Sequence, residues 1–271
     1  MLITRDFVML NYPKTGSSFT RKALKKIHRH RDKGMRNLLI HLGLSKPSLQ
    51  EFLLPILDRH NPEGKISQHG TYRQIPEVHR GKPVVSVIRN PLSRMVSAWR
   101  FGWWLDNPPA PAEQIQEQYP NFPNLGFREF YEMQEDIGLR NRLGKIQLPS
   151  PIGINTVHFI QFFFPDPASI LCKIDADYHA EDLKKEMPDI TFLHQENLNE
   201  EFGRYLRQMG YREDEIAQID KLGKVNVTDD GQDKKHFLDY YDDDMLQNAL
   251  RKERLLFGLF PEYAPERRST D

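Results

Sequence analysis

Two short apolar runs, each followed by a loop and an amphipathic segment, organise the first hundred residues. The run FVMLNY at 7–12 ends at Pro13 and is typical of a strand buried on both faces. From about Ser18, apolar residues recur at spacings of three and four, which predicts a helix with a basic outer face. The run PVVSVI at 83–88 predicts a second strand, and Pro91 suits the first turn of the helix after it. The unit of strand, loop and helix therefore occurs twice.

Weaker patterns predict the other elements. Helices are expected at 45–60, at 127–138, after Asn197 and from about Asp243, and short strands at 65–69, 169–174 and 190–194. The segment 105–125 carries five prolines and resists regular structure, which favours a functional loop. Alternating strands and helices predict an α/β fold: a single three-layer domain over 1–271 with a mainly parallel central sheet and a P-loop-like strand-loop-helix. Ligands of such sheets bind beyond the carboxyl ends of the strands.

Composition and charge mainly exclude functions. The 38 Lys and Arg residues balance 38 Asp and Glu residues, so the chain lacks the net basic field of a general nucleic-acid binder. The single cysteine, Cys172, excludes a disulfide framework and a multi-cysteine metal site, and we expect it in the core. The chain has no apolar run of membrane-spanning length and no signal-peptide pattern, which predicts a cytoplasmic protein without a membrane span.

Charge is nevertheless uneven along the chain. Residues 21–36 hold eight Lys or Arg and one Asp, whereas residues 229–244 hold seven Asp and two Lys. We expect the basic first helix to lie around a cleft for an anionic ligand.

The loop PKTGSSF at 13–19 has the composition of a phosphate cradle. Gly16 lets the backbone approach an anion closely, and amides at the start of the following helix point towards it. Lys14 adds a mobile positive charge. In a Walker A motif the lysine follows the last glycine, whereas Lys14 precedes Gly16, so the loop is not that motif. Taken alone, it also fits a turn with a solvated lysine.

A second pair of polar residues follows the second apolar run. Arg89 closes the predicted strand, and Ser97 lies eight residues further on in the predicted helix. Both can contact a second phosphate of one extended ligand. Taken singly, Arg89 also fits a structural ion pair and Ser97 a tolerated helix serine.

Together, these segments resemble the sulfotransferase superfamily. YPKTGSSF looks like its 5′-phosphosulfate loop, VSVIRNPLSRMVSAW resembles its 3′-phosphate element, and the similarity extends through ENLNEEFGRYLRQMGY to LRKERLLFGLF. The resemblance implies an enzyme, a sulfotransferase dependent on 3′-phosphoadenosine 5′-phosphosulfate (PAPS). It further implies transfer of a sulfuryl group to an acceptor hydroxyl or amine, 3′,5′-adenosine diphosphate (PAP) as the product, and no metal.

The resemblance also implies roles for individual residues. Lys14 matches the lysine that stabilises charge on the departing phosphate, and Arg89 and Ser97 match the 3′-phosphate clamp. The remaining 5′-phosphate cradle consists of Thr15, Gly16, Ser17, Ser18 and Phe19. A late polar loop over the cofactor would supply Lys224 and Asn226, although its aspartates depart from an all-basic clamp.

A histidine is the expected base for the acceptor. His69 follows the weak strand residues 65–68, and its place before VSVIRNP resembles that of the catalytic histidine in carbohydrate 2-O-sulfotransferases. Neutral imidazole is a competent base near pH 7. A packed, purely structural His69 is the alternative, and the other candidate bases are Glu77, His158 and Glu196.

The acceptor side is expected to be polar. We expect a carbohydrate or another polar small molecule as the acceptor, with Phe101, Trp104 and the loop 105–125 as its wall, and Trp99 and Trp103 in the core. Two other functions remain open: a P-loop-type nucleotide-dependent kinase and a non-catalytic nucleotide-binding module. The sequence predicts no nucleic-acid partner and no particular oligomeric state.

Overall fold

The computed structural model describes residues 1–58, 61, 63–220, 222 and 235–265. Within these residues the strands are β1 (Leu2–Thr4), β2 (Val8–Leu10), β3 (Leu49–Glu51), β4 (Leu54–Pro55), β5 (Ile66–Ser67), β6 (Val84–Ile88) and β7 (Ile190–His194). The helices are α1 (Ser17–Arg31), α2 (Met35–His41), α3 (Pro91–Phe101), α4 (Trp103–Asp106), α5 (Ala112–Gln118), α6 (Phe127–Met133), α7 (Leu139–Leu143), α8 (Ile154–Phe163), α9 (Pro167–Lys173), α10 (Ala180–Glu186), α11 (Leu198–Gln208), α12 (Glu213–Asp220), α13 (Asp243–Lys252) and α14 (Arg254–Leu259).

The contacts between residues divide the chain into two compact units. The first comprises Met1–Ile56, Glu63–Arg89 and Asp189–Gln232, and the second comprises Leu57–Pro62, Asn90–Pro188 and Asp233–Asp271. The expected single domain over 1–271 stays a prediction. Among the described residues, no helix is both long and apolar enough to span a membrane.

The first unit contains the central sheet, with the strand order β3-β1-β2-β6-β7. Strand β1 is antiparallel to β2 and β3, whereas β2, β6 and β7 are parallel neighbours. Every residue of β2 and β6 is buried, as expected for strands whose sequences are almost continuously apolar. The predicted α/β fold with a mainly parallel central sheet is therefore confirmed.

Helices α1, α11 and α12 pack against this sheet in one apolar core. Phe7, Met9, Val85 and Val87 come from the sheet region, and they meet the apolar stripe of each helix. The core residues of the helices are Ala23, Leu24 and Ile27 of α1, Phe202, Tyr205 and Leu206 of α11, and Ile216 and Ile219 of α12. Spacings of three and four place these side chains on one face, which is how the sequence orients α1 behind the loop that precedes it.

A buried histidine adds side-chain hydrogen bonds to this core. His28 of α1 places Nε2 2.8 Å from the Tyr211 hydroxyl and Nδ1 2.8 Å from Ser48 Oγ. Burial, followed by the positive charge of Arg31, lowers the pKa of His28 to about 4. The folded state therefore resists protonation of this ring at a pH where the unfolded chain accepts the proton.

We predict a pH dependence of stability from His28. A histidine in the unfolded chain has a pKa of about 6.5, so the contribution of His28 to the free energy of unfolding is fully present above that pH. This contribution, up to about 3 kcal/mol, is lost as the pH falls through about 4, the pKa of His28 in the folded state. Urea unfolding between pH 7.5 and 4.5 measures it, with His28→Gln giving a flatter dependence than wild type. The exposed His30, changed to glutamine, is the control. Equal pH dependences in the two variants would contradict the assignment.

The second unit is helical among its described residues and is built around α8. All ten residues of α8 are buried, and two buried carboxylates satisfy its first amides. Glu253 accepts from the Asn155 and Thr156 amides at 2.9 and 2.8 Å, and Glu135 accepts from the Ile154 amide at 3.1 Å. Burial and the nearby Glu135 charge raise the pKa of Glu253 to about 7. A uniformly buried helix has no polar face, which is why its periodicity does not predict it.

Three sequence predictions of local structure are wrong. The described part of the predicted helix at 45–60, residues 45–58, forms no helix; instead, β3 pairs with β1 and β4 pairs with β5, because Pro55 breaks the helix and β1 offers an edge. Of the predicted strand at 169–174, all residues but Ile174 belong to α9, which Asp166 caps and Pro167 opens, and Cys172 is exposed on it rather than in the core. Within 105–125, α5 forms between the prolines and buries Ile115.

The other expected elements are confirmed. Strands β2, β6 and β7 and helices α1, α3, α6, α11 and α13 occupy the predicted segments. The weak strand at 65–69 is the two-residue β5, which pairs with β4 outside the central sheet. Trp104 is buried and Trp103 is 38% exposed, the reverse of the expectation for these two residues.

Candidate functional site

The loop between β2 and α1 has an unusual backbone. Lys14 has a φ of 66° and Gly16 a φ of 90°, and Lys14 is the one non-glycine residue with positive φ in the described part of the chain. Such a conformation costs a side-chain-bearing residue about 1–3 kcal/mol and persists where the surroundings enforce it. The fold thus holds a lysine in a strained position directly before a helix N-terminus.

Gly16 is required by its backbone angle and by its neighbours. A Cβ at this position would lie 3.2 Å from Leu198 Cδ2 and 3.3 Å from Gln195 Cγ, both from the segment after β7. Any larger residue would add strain to the left-handed backbone and press on that segment. Gln195 is a part of the site that the sequence did not reveal, because only the parallel pairing of β6 and β7 brings it to the loop.

The start of α1 is open to an anion. Its first turn holds no acidic residue, and no side chain caps it among the described residues. Thr15 is fully buried and donates through Oγ1 to the Tyr12 carbonyl at 2.8 Å, which braces the loop from within. Ser17 is buried and Ser18 half-buried in the first turn. Phe19 belongs to the core, and its amide donates to the Gly16 carbonyl at 2.9 Å.

Arg89 joins this loop from the neighbouring strand. It directly follows β6, is half-buried, and places Nη1 3.4 Å from the Lys14 carbonyl oxygen. Strands β2 and β6 are parallel, so their carboxyl ends lie at one edge of the sheet. Two cationic side chains, Lys14 and Arg89, are thereby gathered at the edge where ligands of such sheets bind.

His69 lies beside the end of β2. Its Nδ1 is 2.6 Å from the Asn11 carbonyl oxygen. A carbonyl oxygen only accepts, so Nδ1 carries the proton and Nε2 carries the lone pair in the neutral ring. The backbone on both sides is fixed: the His69 amide donates to Ser67 Oγ at 3.1 Å, and a Cβ on Gly70 would come within 2.7 Å of Leu54 Cδ1.

Asn11 is a further polar residue at this edge. It is fully buried, and its Nδ2 donates to the Gln68 carbonyl at 3.3 Å. Its Oδ1 is buried without a hydrogen-bond partner among the described residues. A buried acceptor without a partner costs about 1–3 kcal/mol, so proteins retain one where it has a use. In the sequence, Asn11 lies within the apolar run at 7–12, and no motif there marks it as a functional residue.

Comparison with known proteins finds a likeness among solved structures only. No family model matches the chain, and no curated protein matches it. The solved structure of the mouse sulfotransferase SULT7A1 complexed with PAP is similar to it, with 13% sequence identity and a TM-score of 0.42 over 99% of this chain and 87% of that chain.

The other predicted binding residues belong to the second unit or lie outside the described residues. Ser97 is half-buried in α3, in the second unit. Lys224 and Asn226 lie outside the described residues, so their assignments stay predictions. Among the described residues, no group of three His, Cys, Asp or Glu side chains is arranged to hold a metal ion; the expected metal independence is untested.

The alternative bases differ in their surroundings. Glu77 and Glu196 are exposed in single helical turns, Glu77–His79 and Gln195–Asn197. His158 is buried in the second unit, with Nε2 2.6 Å from Asp58 Oδ2 and Nδ1 in contact with Arg94. Burial, then the charges of Arg142 and Arg94, lower the pKa of His158 well below its usual range. With both ring nitrogens engaged inside the core, His158 stabilises the second unit.

The basic face of α1 is used within the fold. Arg21 and Lys25 both pair with Glu51 of β3, and Arg31 holds Glu215 through two hydrogen bonds of 2.5 and 2.8 Å. These cations therefore fasten α1 to its neighbours, and the expectation that the basic helix lies around a cleft for an anionic ligand stays a prediction.

Proposed function

We propose that the chain is a sulfotransferase that transfers the sulfuryl group of PAPS to an acceptor hydroxyl. The observation that carries the proposal is the meeting of Lys14, Arg89 and His69 at the carboxyl edge of the parallel strands β2 and β6. This edge combines two cations, an open helix N-terminus and an imidazole. Those groups suit a dianionic leaving group and an acceptor that must lose a proton.

The residues present fit the phosphosulfate end of the donor. Gly16 adopts the left-handed backbone that the loop needs, and α1 presents its N-terminus without an acidic side chain. Lys14 is fixed by its backbone at the side of this cradle. Arg89 is held against the Lys14 carbonyl, so the groups proposed for the 5′- and 3′-phosphates are coupled through one peptide unit.

The proposed mechanism assigns one task to each residue. The donor, when bound, supplies a sulfuryl group on a phosphate leaving group. The Lys14 ammonium neutralises negative charge as it builds up on that phosphate, and the α1 amides add fixed dipoles of the same sense. His69 accepts the proton of the acceptor hydroxyl on Nε2 and later releases it to solvent. The Asn11 carbonyl holds the ring in the tautomer that can do this.

We propose a carbohydrate or another polar small molecule as the acceptor, with the segment 105–125 on the acceptor side. Phe101 and Trp103 support a sugar acceptor, because they are 58% and 38% exposed and an aromatic face can stack on the apolar face of a sugar ring. Trp104 is excluded from the acceptor wall, since its indole is buried against Phe122 and Phe130.

Nucleotide binding provides the first test of the proposal. We expect PAP to raise the melting temperature without magnesium, and to do so much more than ATP with magnesium does. Transfer of labelled sulfate from PAPS to polyhydroxylated acceptors then tests catalysis. A response confined to ATP with magnesium supports the kinase alternative. PAP binding without transfer to any acceptor class supports a non-catalytic module.

Arg89→Ala tests the clamp for the 3′-phosphate. Loss of a charge-assisted hydrogen bond is expected to raise the Kd for PAP about 10- to 100-fold, while Arg89→Lys retains part of the affinity. Adenosine 5′-phosphosulfate, which lacks the 3′-phosphate, is the control ligand and should bind wild type and both variants alike. An equal loss for both ligands would show that the variant disturbs the Lys14 loop instead.

A further inference from the structure

Helix α2 exposes apolar side chains that nothing in the described chain covers. None of its seven residues is buried. Five large apolar side chains in the ten residues 35–44 are exposed: Met35, Leu38, Leu39, Leu42 and Leu44. Met35 and Leu44 reach 72% and 73% exposure. Exposed apolar side chains clustered in this way mark interaction surfaces.

A basic cleft of about 920 Å³ adjoins this helix. The β1–β2 turn, the last turn of α1, the start of α2 and the start of α12 contribute to its walls. Its Lys and Arg residues are Arg5, Arg31, Arg36, Lys46, Lys82 and Arg212, against the two acids Asp6 and Glu215. Arg36 lies on α2 and Lys46 two residues after Leu44, so the cleft and the apolar side chains belong to one continuous surface.

Half of these cations remain available to a ligand. Arg31, Arg36 and Arg212 pair with the carboxylates of Glu215, Asp32 and Asp214, respectively. Arg5, Lys46 and Lys82 make no ion pair among the described residues, although Lys82 donates to the Thr4 carbonyl at 2.6 Å. His79 also lines the cleft, and its Nδ1 is buried without a hydrogen-bond partner there. Burial, then the charges of Lys82 and Lys46, lower the pKa of His79.

This surface is separate from the proposed transfer site. The phosphate cradle lies at the N-terminus of α1, whereas His30 and Arg31, which line the cleft, lie in its last turn. A helix of 15 residues is about 22 Å long at 1.5 Å per residue. The two sites therefore lie at opposite ends of α1.

We propose that α2 and the basic cleft form a docking surface for an anionic membrane. The exposed apolar side chains of residues 35–44 would enter the interfacial layer of the membrane, and the cleft would receive phosphate-bearing headgroups. An apolar face and a basic patch are the two signals that stable peripheral attachment requires. A second copy of the chain fits less well, because a symmetric contact here would bring the same excess of positive charge together from both sides.

Vesicle flotation tests the proposal with the full chain. We expect binding to phosphatidylcholine vesicles that contain phosphatidylserine, weakening as salt increases, and no binding to pure phosphatidylcholine. Arg5→Gln combined with Lys46→Gln should weaken binding about 30-fold, at about 1 kcal/mol for each charge. Leu38→Gln combined with Leu42→Gln should weaken it at least about tenfold, since each leucine loses its apolar transfer energy.

Two control variants separate docking from general effects. Lys184→Gln changes an exposed lysine in the second unit, and Leu53→Gln changes a leucine that is 55% exposed outside α2. Both should bind vesicles like wild type. All variants should keep the wild-type response to PAP, which shows that they fold and keeps this test independent of the proposed transferase activity.

Four results would overturn the proposal. One is equal binding to neutral and anionic vesicles, and another is anionic binding that neither pair of substitutions weakens. The third is a dimer in sedimentation analysis that Leu38→Gln and Leu42→Gln abolish, which would assign the surface to a second copy. The last is binding of soluble inositol hexakisphosphate without vesicle binding, which would assign the cleft to a free anion.

Discussion

Replacing Lys14 by methionine is expected to lower kcat for sulfuryl transfer about 100- to 1000-fold, the loss typical when one group that stabilises transition-state charge is removed. The affinity for PAP should fall far less, because the charge that Lys14 meets grows only as the sulfuryl group departs. Methionine keeps an unbranched side chain that is one heavy atom shorter, so the comparison removes mainly the ammonium group. Single-turnover rates and PAP titrations measure the two quantities separately.

The backbone at Lys14 supplies a second measurement on the same residue. Since Lys14 has a φ of 66°, glycine at this position relieves strain, and Lys14→Gly should raise the free energy of unfolding by about 1 kcal/mol. Its kcat should fall as in Lys14→Met. Lys14→Arg, which keeps the charge, is the matched control and should retain more activity than either. Full activity in Lys14→Met would remove Lys14 from the mechanism.

Opposite effects on stability and activity at one residue would identify Lys14 as a functional compromise. A strained residue persists where function requires it and the surrounding structure enforces it. Here Thr15 and Gly16 enforce it: Thr15 is anchored to the Tyr12 carbonyl, and Gly16 is closed in by Gln195 and Leu198. The lysine therefore cannot relax without moving the start of α1.

The sheet could be predicted in part because parallel strands are buried on both faces. Strands β2 and β6 stand out as apolar runs, and each is followed by an amphipathic helix. Strands β1 and β3 have three residues each, too few to show a period, and unlike β2 they do not lie in a longer apolar run. Helix α8 is long enough but is buried on every side. The sequence predictions thus failed where an element is very short or has no polar face.

The residues of the candidate site likewise fall into a group that the sequence predicts and a group that it does not. Lys14, Gly16 and Arg89 follow predictable strands directly, so local pattern alone places them at the sheet edge. Asn11 and Gln195 depend on contacts between distant segments, with Gln68 and with the loop at Gly16. Nor could charge counting show that the basic residues of α1 are largely engaged, since Glu51 and Glu215 reach them only in the folded chain.

Replacing His69 is expected to have the other large effect, a fall in kcat of about 100- to 10,000-fold for loss of a general base. The structure allows base and scaffold roles to be separated, because Nδ1 is held by the Asn11 carbonyl while Nε2 carries the lone pair. Glutamine retains an amide N–H that can donate to this carbonyl but has no basic nitrogen. His69→Gln and His69→Ala should therefore lose similar amounts of kcat.

The pH profile decides between these roles. In wild type, kcat should fall at acidic pH as the imidazole takes up a proton, and this acidic limb should disappear in His69→Gln. Added imidazole should restore part of the rate to His69→Ala, since a free base can occupy the vacated space. Wild-type kcat in His69→Gln, with loss only in His69→Ala, would mean that His69 braces the end of β2 and that the acceptor proton leaves by another route.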